Sequence, residues 1–518
     1  MIGSSCDTFG NADRRQPQRG TAVEQNAPMP PPNDALTTTR HGVRRTKIVA
    51  TVGPASEHLL AELIAAGMDV ARVNCSHGSV EDHRRRIAAI RAAAKAAGKF
   101  IAVFADLPGP KLRLAPRTDE LTVAVGDHAR LRTLDAPGRA EDLTIDYPTL
   151  LHDITIGDRI TLGDGALSFR VVELLSTHAV VQALDPGVVR GQPGIHLPAE
   201  RVRVTTPTDE DLELVTELAP LVDFFALSFV RRADEVVTLR AHINKTVDVD
   251  APGIIAKIET LGAVEALPAI VDVSDAVMVA RGDLGIECPL EDVPHLQKRI
   301  VRTCVKAGLP VITATQMLES MLTAPSPTRA EVSDVANAVF DGADGLMLSG
   351  ETAVGADPIA AVEWMARIAA RAESEANYPG WGALVGRSDR RGATPEQQIS
   401  SSLAHAAWQA AEDSRAEAIL CCTTTGGTAR AVGRYRPSSA IVGMSPSEAA
   451  CRRMTLSWGV TPVHLAWASS TDELVWIAVE MAAREGLVGR GDLVAVLAGD
   501  PSTGEKVVDV LRLVRVRW

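Results

Sequence analysis

Charged and hydroxyl side chains recur at one kind of place in this 518-residue chain, directly after or at the end of short apolar runs. Asn74 and Ser76 follow VARV, and Asp106 follows IAVFA. Lys257 and Glu259 end IIAKIE, Arg281 and Asp283 follow VMVA, and Thr315 follows VITA. A lone polar residue at the end of a strand is usually no more than solvated. Charges converging from five such runs suggest a site instead. Glu259 and Asp283 are hard oxygen ligands, suited to Mg²⁺ or Mn²⁺ completed by substrate oxygens and water. Arg72 and Lys257 supply positive charge for a phosphoryl group and for an oxyanion developing beside it. Around Gly282, the segment Arg281–Gly285 offers backbone N–H groups that a carboxylate can approach. The alternative is two carboxylates merely salt-bridged to Lys257 and Arg281, and burying four charges for structure alone is costly. A phosphate, a carboxylate and a metal together describe an anionic substrate such as an enol phosphate.

The elements that must position these residues alternate in type. From Thr46 the runs IVATVG, VARVN and FIAVFADL are each followed or separated by amphipathic helical stretches. After an interruption the rhythm resumes with FFALSFV, IIAKIE, VMVARGDLG, VITATQML and GLMLSG. Eight strands each followed by a helix predict a (β/α)8 TIM barrel over residues 43–111 and 203–378, whose working groups cluster at the C-terminal strand ends. The interruption, residues 112–202, is rich in Thr, Val and Gly, with turn signals at Val125-Gly126-Asp127 and Ile156-Gly157-Asp158. It predicts a small β-barrel inserted in a βα loop, placed as a lid over the barrel mouth. Beyond a loose segment a further strand–helix alternation predicts a C-terminal α/β domain over 395–518. Residues 1–42 are polar and broken by prolines, and are expected to be disordered.

Composition excludes several classes. A net charge of −12 disfavours nucleic acid and anionic membranes as partners. It does not disfavour a small anion, because a local Arg/Lys cluster can dominate a pocket. The seven cysteines include no C-x-x-C pair, which argues for reduced thiols. No apolar run reaches transmembrane length, and no secretory signal is legible at the N-terminus, so a cytoplasmic location is expected.

Longer motifs carry a family resemblance. The opening strand TKIVATVGPAS, then ARVNCSHG, IAKIE, MVARGDLG, ATQMLESM and PTRAE together resemble the pyruvate kinase family from Thr46 into the C-terminal domain. The resemblance implies transfer of a phosphoryl group from phosphoenolpyruvate to ADP, giving pyruvate and ATP, the last step of glycolysis. It implies that Glu259 and Asp283 hold the divalent cation. Arg72 grips the phosphate, Lys257 stabilises the enolate, and Thr315 belongs to the proton relay. Gly282 and Asp283 lie on the substrate side; Pro54, Asn74, His77 and Arg113 on the nucleotide side. Asn74, Ser76, Asp106 and Leu107 line a monovalent-cation position. Lys111 stands where K⁺-requiring members carry Glu, and a tethered ammonium can replace the ion's charge, so K⁺ is not expected to be required. A homotetramer is also implied.

The resemblance further places a sugar-phosphate effector loop at Thr423-Thr424-Thr425-Gly426-Gly427-Thr428, whose N–H and hydroxyl groups can cradle phosphate. With no Lys or Arg in that loop, a sugar monophosphate or a nucleotide is expected rather than a bisphosphate. Cys75, His196, Glu210 and Glu505 depart from the family pattern. The last three bear on lid affinity and effector response. Two other readings compete: a metal-dependent aldolase-like barrel, which gives no reason for the insertion, and an inactive sensor, which the presence of Lys257, Glu259 and Asp283 disfavours.

Overall fold

The computed structural model describes residues 44–110, 112–139, 141–163, 167–197, 205–385, 395–466, 468–499 and 508–517. The expected disorder of 1–42, the Lys111 position and the Gly504-Glu505-Lys506 departure lie outside the described residues. No described helix is long and apolar enough to cross a membrane.

Eight parallel strands close into a barrel: Lys47–Thr51, Val70–Asn74, Ala102–Asp106, Phe224–Leu227, Gly253–Ile258, Ala276–Ala280, Val311–Ala314 and Gly345–Leu348. The eighth pairs with the first, Lys47 opposite Gly345. Side chains alternate between the two faces of a strand, and both faces are buried here. Val49, Val70, Ala102, Phe104, Phe224, Ala226, Ile255, Ala276, Met278 and Ile312 fill the barrel interior. Their odd-register neighbours, such as Ala71, Val103, Phe225, Ala256 and Val277, pack outward against the helices. Two residues beyond each inward position the same face continues. Arg72 and Asn74 follow Val70, Asp106 follows Phe104, Ser228 follows Ala226, and Lys257 and Glu259 follow Ile255. The polar residues are thus the last members of the inward-facing sets, and the period of two delivers them to one mouth.

The helices have local reasons to start. Ser79, Thr208 and Thr328 each accept from the backbone three residues on, and Asp82, Asp211 and Glu331 reciprocate as capping boxes. Glu210 is exposed in the first turn of helix Asp209–Leu218, where an acid suits the helix dipole. The insertion after the third strand pairs as a two-stranded and a six-stranded sheet. Leu114, Ile145, Ile160, Phe169, Val171 and Val181 are among its own apolar core.

The C-terminal domain carries a five-stranded sheet ordered Val460–His464, Ala440–Ser445, Ala418–Cys422, Leu493–Ala498, Val510–Arg515, parallel except for the last strand. It grips the N-terminal end of the barrel. Leu456 is fully buried and packs with the barrel's interior residues, while Thr455 Oγ1 accepts from Ala102 N at 3.2 Å. Arg452 reaches Asp223 at 2.8 Å, and Arg436, 1% exposed at its side chain, pairs with Asp344 at 2.9 Å.

Candidate active site

A cavity of about 1020 Å³ opens at the C-terminal end of the barrel strands and extends to the insertion. Thr51, Arg72, Asn74, Asp106, Ser228, Lys257, Glu259, Asp283 and Thr315 line its barrel side. Pro54, Ser76, His77 and Arg113 line it too, as does Leu107, and the insertion contributes Gly194 and His196. Apart from Arg281 and Gly282, the residues expected from five separate runs therefore meet in one place.

At its centre is a chain of buried charges. Arg72 holds Asp106 Oδ2 through Nε at 2.8 Å and Nη2 at 2.7 Å, and Nη1 reaches Thr51 Oγ1 at 3.1 Å. Lys257 Nζ donates to Ser228 Oγ at 2.8 Å and stands 3.2 Å from Asp106 Oδ1 and 2.8 Å from Glu259 Oε1. Burial alone would pull the Lys257 ammonium down, but Asp106, Glu259 and Asp283 outweigh it and hold it above the usual lysine range. Burial likewise pushes Asp106 up, yet Lys257 and Arg72 keep its carboxyl below the ordinary carboxylate value. Glu259 moves the other way: burial first, then the neighbouring Asp283 charge, raise it against the pull of Lys257. Two carboxylates that repel each other raise the proton affinity of one of them, and a divalent cation held between them would remove that repulsion.

Whether a divalent metal fits is decided by the donor atoms present. Glu259 Oε2 accepts from the Phe229 N–H at 2.6 Å, and Oε1 is buried against the Lys257 ammonium at 2.8 Å. Among the described residues no three His, Cys, Asp or Glu side chains cluster as a metal cage. Two carboxylates beside open volume suit Mg²⁺, which keeps waters and takes substrate oxygens rather than an all-protein shell. The residues present fit the ion.

Arg281 behaves differently from the salt-bridge alternative. Its guanidinium turns outward to Asp334 at 2.7 and 2.8 Å, and donates to the carbonyls of Ala314, Thr315 and Gln316. It braces the loop after the seventh strand, where Thr315 has φ +65° and Gln316 φ +52°. Such backbone strain in non-glycine residues persists only where its surroundings hold it. Lys257 does bridge to Glu259, so that half of the alternative is present. The expectation of free backbone N–H groups needs one correction. The Gly282 N–H is engaged by Thr315 Oγ1 at 2.9 Å, because the two loops pack at that distance.

Asn74 and Asp106 sit opposite each other across the second and third strands, and Asn74 Oδ1 accepts from Ser76 N at 3.2 Å. The Leu107 carbonyl is held by Ser228 Oγ at 2.7 Å. Ser228, Phe229 and Thr51 escaped the sequence reading. Ser228 had a legible signal: it ends the inward set of FFALS just as Asp106 ends that of AVFAD. Phe229, at φ +55°, had none. Residues 423–426 join strand Ala418–Cys422 to helix Gly427–Gly433, and Gly427 and Thr428 of the expected loop lie in that helix's first turn. Gly426 takes φ +87° there, and a side chain on it would meet Met454 Cγ at 2.7 Å.

Comparison with known proteins agrees with this geometry. Residues 43–362 match the family model "Pyruvate kinase, barrel domain", and residues 401–514 match "Pyruvate kinase, alpha/beta domain". A pyruvate kinase of Geobacillus stearothermophilus is 40% identical over 464 residues, covering 88% of this chain and 78% of that one. One from Clostridium acetobutylicum is 36% identical over 483 residues, covering 91% and 99%. The crystal structure of a pyruvate kinase from Cryptosporidium parvum superposes with a TM-score of 0.85 at 33% identity, covering 94% of this chain and 98% of that one. The chain belongs to the pyruvate kinase family, and it is a phosphotransferase.

Proposed function

We propose that the cavity carries the family's reaction, transfer of the phosphoryl group of phosphoenolpyruvate to ADP, through the residues that converge on Lys257. The observation that supports this most is the shared Lys257 ammonium, buried between Asp106 and Glu259 and kept charged by them. Phosphoryl transfer needs little covalent help and much charge compensation in a dry site. Arg72 is held by Asp106 and Thr51 with its guanidinium lining the cavity, and it binds the phosphate. Lys257 acts beside the transferring group and on the enolate oxygen that its departure leaves. Thr315, whose hydroxyl is fixed between Gly282 N and the Ala314 carbonyl, takes part in protonating the enolate carbon. Glu259 and Asp283 hold Mg²⁺ or Mn²⁺. When bound, the ion supplies Lewis-acid neutralisation of the substrate oxygens.

Pro54, Asn74, His77 and Arg113 serve the nucleotide, with His196 approaching from the insertion. Asn74, Ser76, Asp106 and Leu107 form the monovalent-cation position. K⁺ is not required on this reading. Asp106 is already compensated by Arg72 and Lys257, and Lys111 in the sequence adds a further tethered charge. The loop Thr423–Thr428 takes a sugar monophosphate or a nucleotide as allosteric effector. A homotetramer and a cytoplasmic setting complete the reading, and the family alone supports those two. A coupled assay for ADP-dependent pyruvate formation tests the whole: no turnover with phosphoenolpyruvate, ADP and Mg²⁺ would reject it.

A further inference from the structure

We infer that Arg281, anchored by Asp334, is a positioning residue that sets Thr315 for protonation of the enolate and has no part in phosphoryl transfer. The inference rests on the reading of Thr315 given above. Arg281 opens the short helix Arg281–Glu287, whose first turn carries Asp283. Its side chain is 11% exposed and crosses to the loop after the seventh strand. Nε donates to the Ala314 carbonyl at 3.3 Å, and Nη2 to those of Thr315 at 2.7 Å and Gln316 at 3.2 Å. Three successive carbonyl oxygens thus converge on one cation. Nη1 reaches both oxygens of Asp334, at 2.7 and 2.8 Å, and Gln297 Oε1 at 3.4 Å.

The convergence follows from the backbone. Thr315 at φ +65° and Gln316 at φ +52° are consecutive residues in the left-handed region. A β-branched residue seldom adopts it, because its Cβ comes too close to the following carbonyl oxygen. Two such residues in succession align their carbonyls, as any helical turn does, and the partial negative charges repel. A guanidinium is a planar fork of five N–H donors and serves several acceptors at once. The paired contact with Asp334 fixes the plane of that fork, since charge-assisted pairs of this kind carry geometric specificity.

What the loop conformation fixes is the Thr315 hydroxyl. Oγ1 accepts from Gly282 N at 2.9 Å and donates to the Ala314 carbonyl at 2.7 Å. Protonation forms a C–H bond at the enolate carbon with a proton passed through Oγ1, which water replaces. To pass it, the hydroxyl has to turn from Ala314 into the cavity that Thr315 lines. The carbonyl it leaves keeps Arg281 Nε as a donor, so the turn strands no acceptor. Arg281 therefore holds the loop and compensates for the release of the hydroxyl. Asp334 acts from helix Arg329–Asp341 and does not line the cavity, so its removal touches neither substrate nor metal ligands.

The test follows two reactions of the full chain. Exchange of the pyruvate methyl hydrogens with D₂O, read by NMR with Mg²⁺ and inorganic phosphate present, reports the protonation step in reverse and needs no phosphoryl transfer. Formation of ATP from phosphoenolpyruvate and ADP reports the transfer. Asp334→Ala should slow exchange about ten- to a hundredfold, the scale of a misplacement of up to about 1 Å. ATP formation should fall less, because enolate that leaves the site is still protonated by water. The KM for phosphoenolpyruvate and the affinity for Mn²⁺ should stay within about twofold, as expected when ground-state binding is untouched. Asp334→Glu, which keeps the carboxylate, should recover much of the exchange. Arg281→Lys, a cation without the fork, should lose exchange in the same sense, and it decides the matter if Asp334→Ala does not fold. Thr315→Ala separates this inference from the reading beneath it: normal exchange there would remove Thr315 from the relay and both would fall. Slow exchange in Thr315→Ala with normal exchange in Asp334→Ala and Arg281→Lys overturns the positioning role alone. So does a loss of Mn²⁺ affinity in Asp334→Ala that matches its loss of exchange, since the effect would then run through Asp283.

Discussion

Replacing Lys257 by Met removes the one ammonium shared by Asp106 and Glu259, keeps much of the side-chain volume, and separates two accounts of the residue. In the first, Lys257 acts on charge that develops during transfer. Loss of one preorganised donor in a water-excluded site costs roughly 10²–10³ in kcat, or about 3–4 kcal/mol of transition-state stabilisation. Phosphoenolpyruvate binding should change much less, because Arg72 keeps its own contacts with Asp106 at 2.7 and 2.8 Å. Metal affinity should hold or increase, since Lys257 Nζ now stands 2.8 Å from the very Glu259 oxygen that the cation would use. In the second account Lys257 only orients Glu259, so the variant should bind metal more weakly and recover its rate when metal is raised. Steady-state kinetics at several Mg²⁺ concentrations and a Mn²⁺ titration with phosphoenolpyruvate present distinguish the two. Recovery of near-normal kcat at high Mg²⁺ would refute direct action by Lys257.

The remaining expectations are shorter. Glu259→Gln and Asp283→Asn should each lose most turnover while folding normally, and should weaken Mn²⁺ binding with phosphoenolpyruvate; near-normal rates at modest Mg²⁺ would remove them from the metal site. Leu456→Ala should cost about 2–5 kcal/mol by chemical denaturation, because its side chain fills the base of the barrel; a loss below about 1 kcal/mol, the scale of an ordinary surface change, would show that the site collapses around it. Activity in K⁺-free buffer with a bulky organic cation should nearly equal that with K⁺, and Lys111→Glu should become K⁺-responsive; an unaltered enzyme that is idle without K⁺ contradicts this. Burial pushes the thiols of Cys75 and Cys422 up to about 12 and that of Cys451 to about 11. In the unfolded chain they ionise near about 8.5, so above that pH the native state holds more protons and stability should fall as pH rises. Native-state alkylation at pH 8 should correspondingly be slow at these three, and rapid labelling would contradict the burial.

The barrel was legible because its strands are short, apolar and punctuated, and because each ends in a residue that does not belong in a core. The same rule would have found Ser228, two residues past Ala226 on the inward face. Phe229 was beyond reach, since its part is played by a backbone N–H in a left-handed conformation, and neither is a property of the residue type. Arg281 illustrates the limit better. By sequence it is one more charge at a strand end beside Asp283. Only packing brings Asp334, some fifty positions on, to 2.7 Å and turns the guanidinium away from the mouth. The Gly282 N–H looked free for the same reason: its acceptor, Thr315 Oγ1, comes from the next strand's loop.

By itself, then, the order of residues determined the architecture and the identity of the groups at the barrel mouth. Hydrophobic periodicity is local, and a period of two carries Arg72, Asp106, Lys257 and Glu259 to the same face whatever the rest of the chain does. Tertiary structure alone decided how those charges are shared. Lys257 lies between two carboxylates, Arg72 is bound to Asp106, and Glu259 divides its oxygens between the Phe229 N–H and Lys257. Those outcomes depend on distances of about 3 Å between residues far apart in sequence, and Coulomb energies in a buried site vary too steeply with distance and burial for composition to predict them.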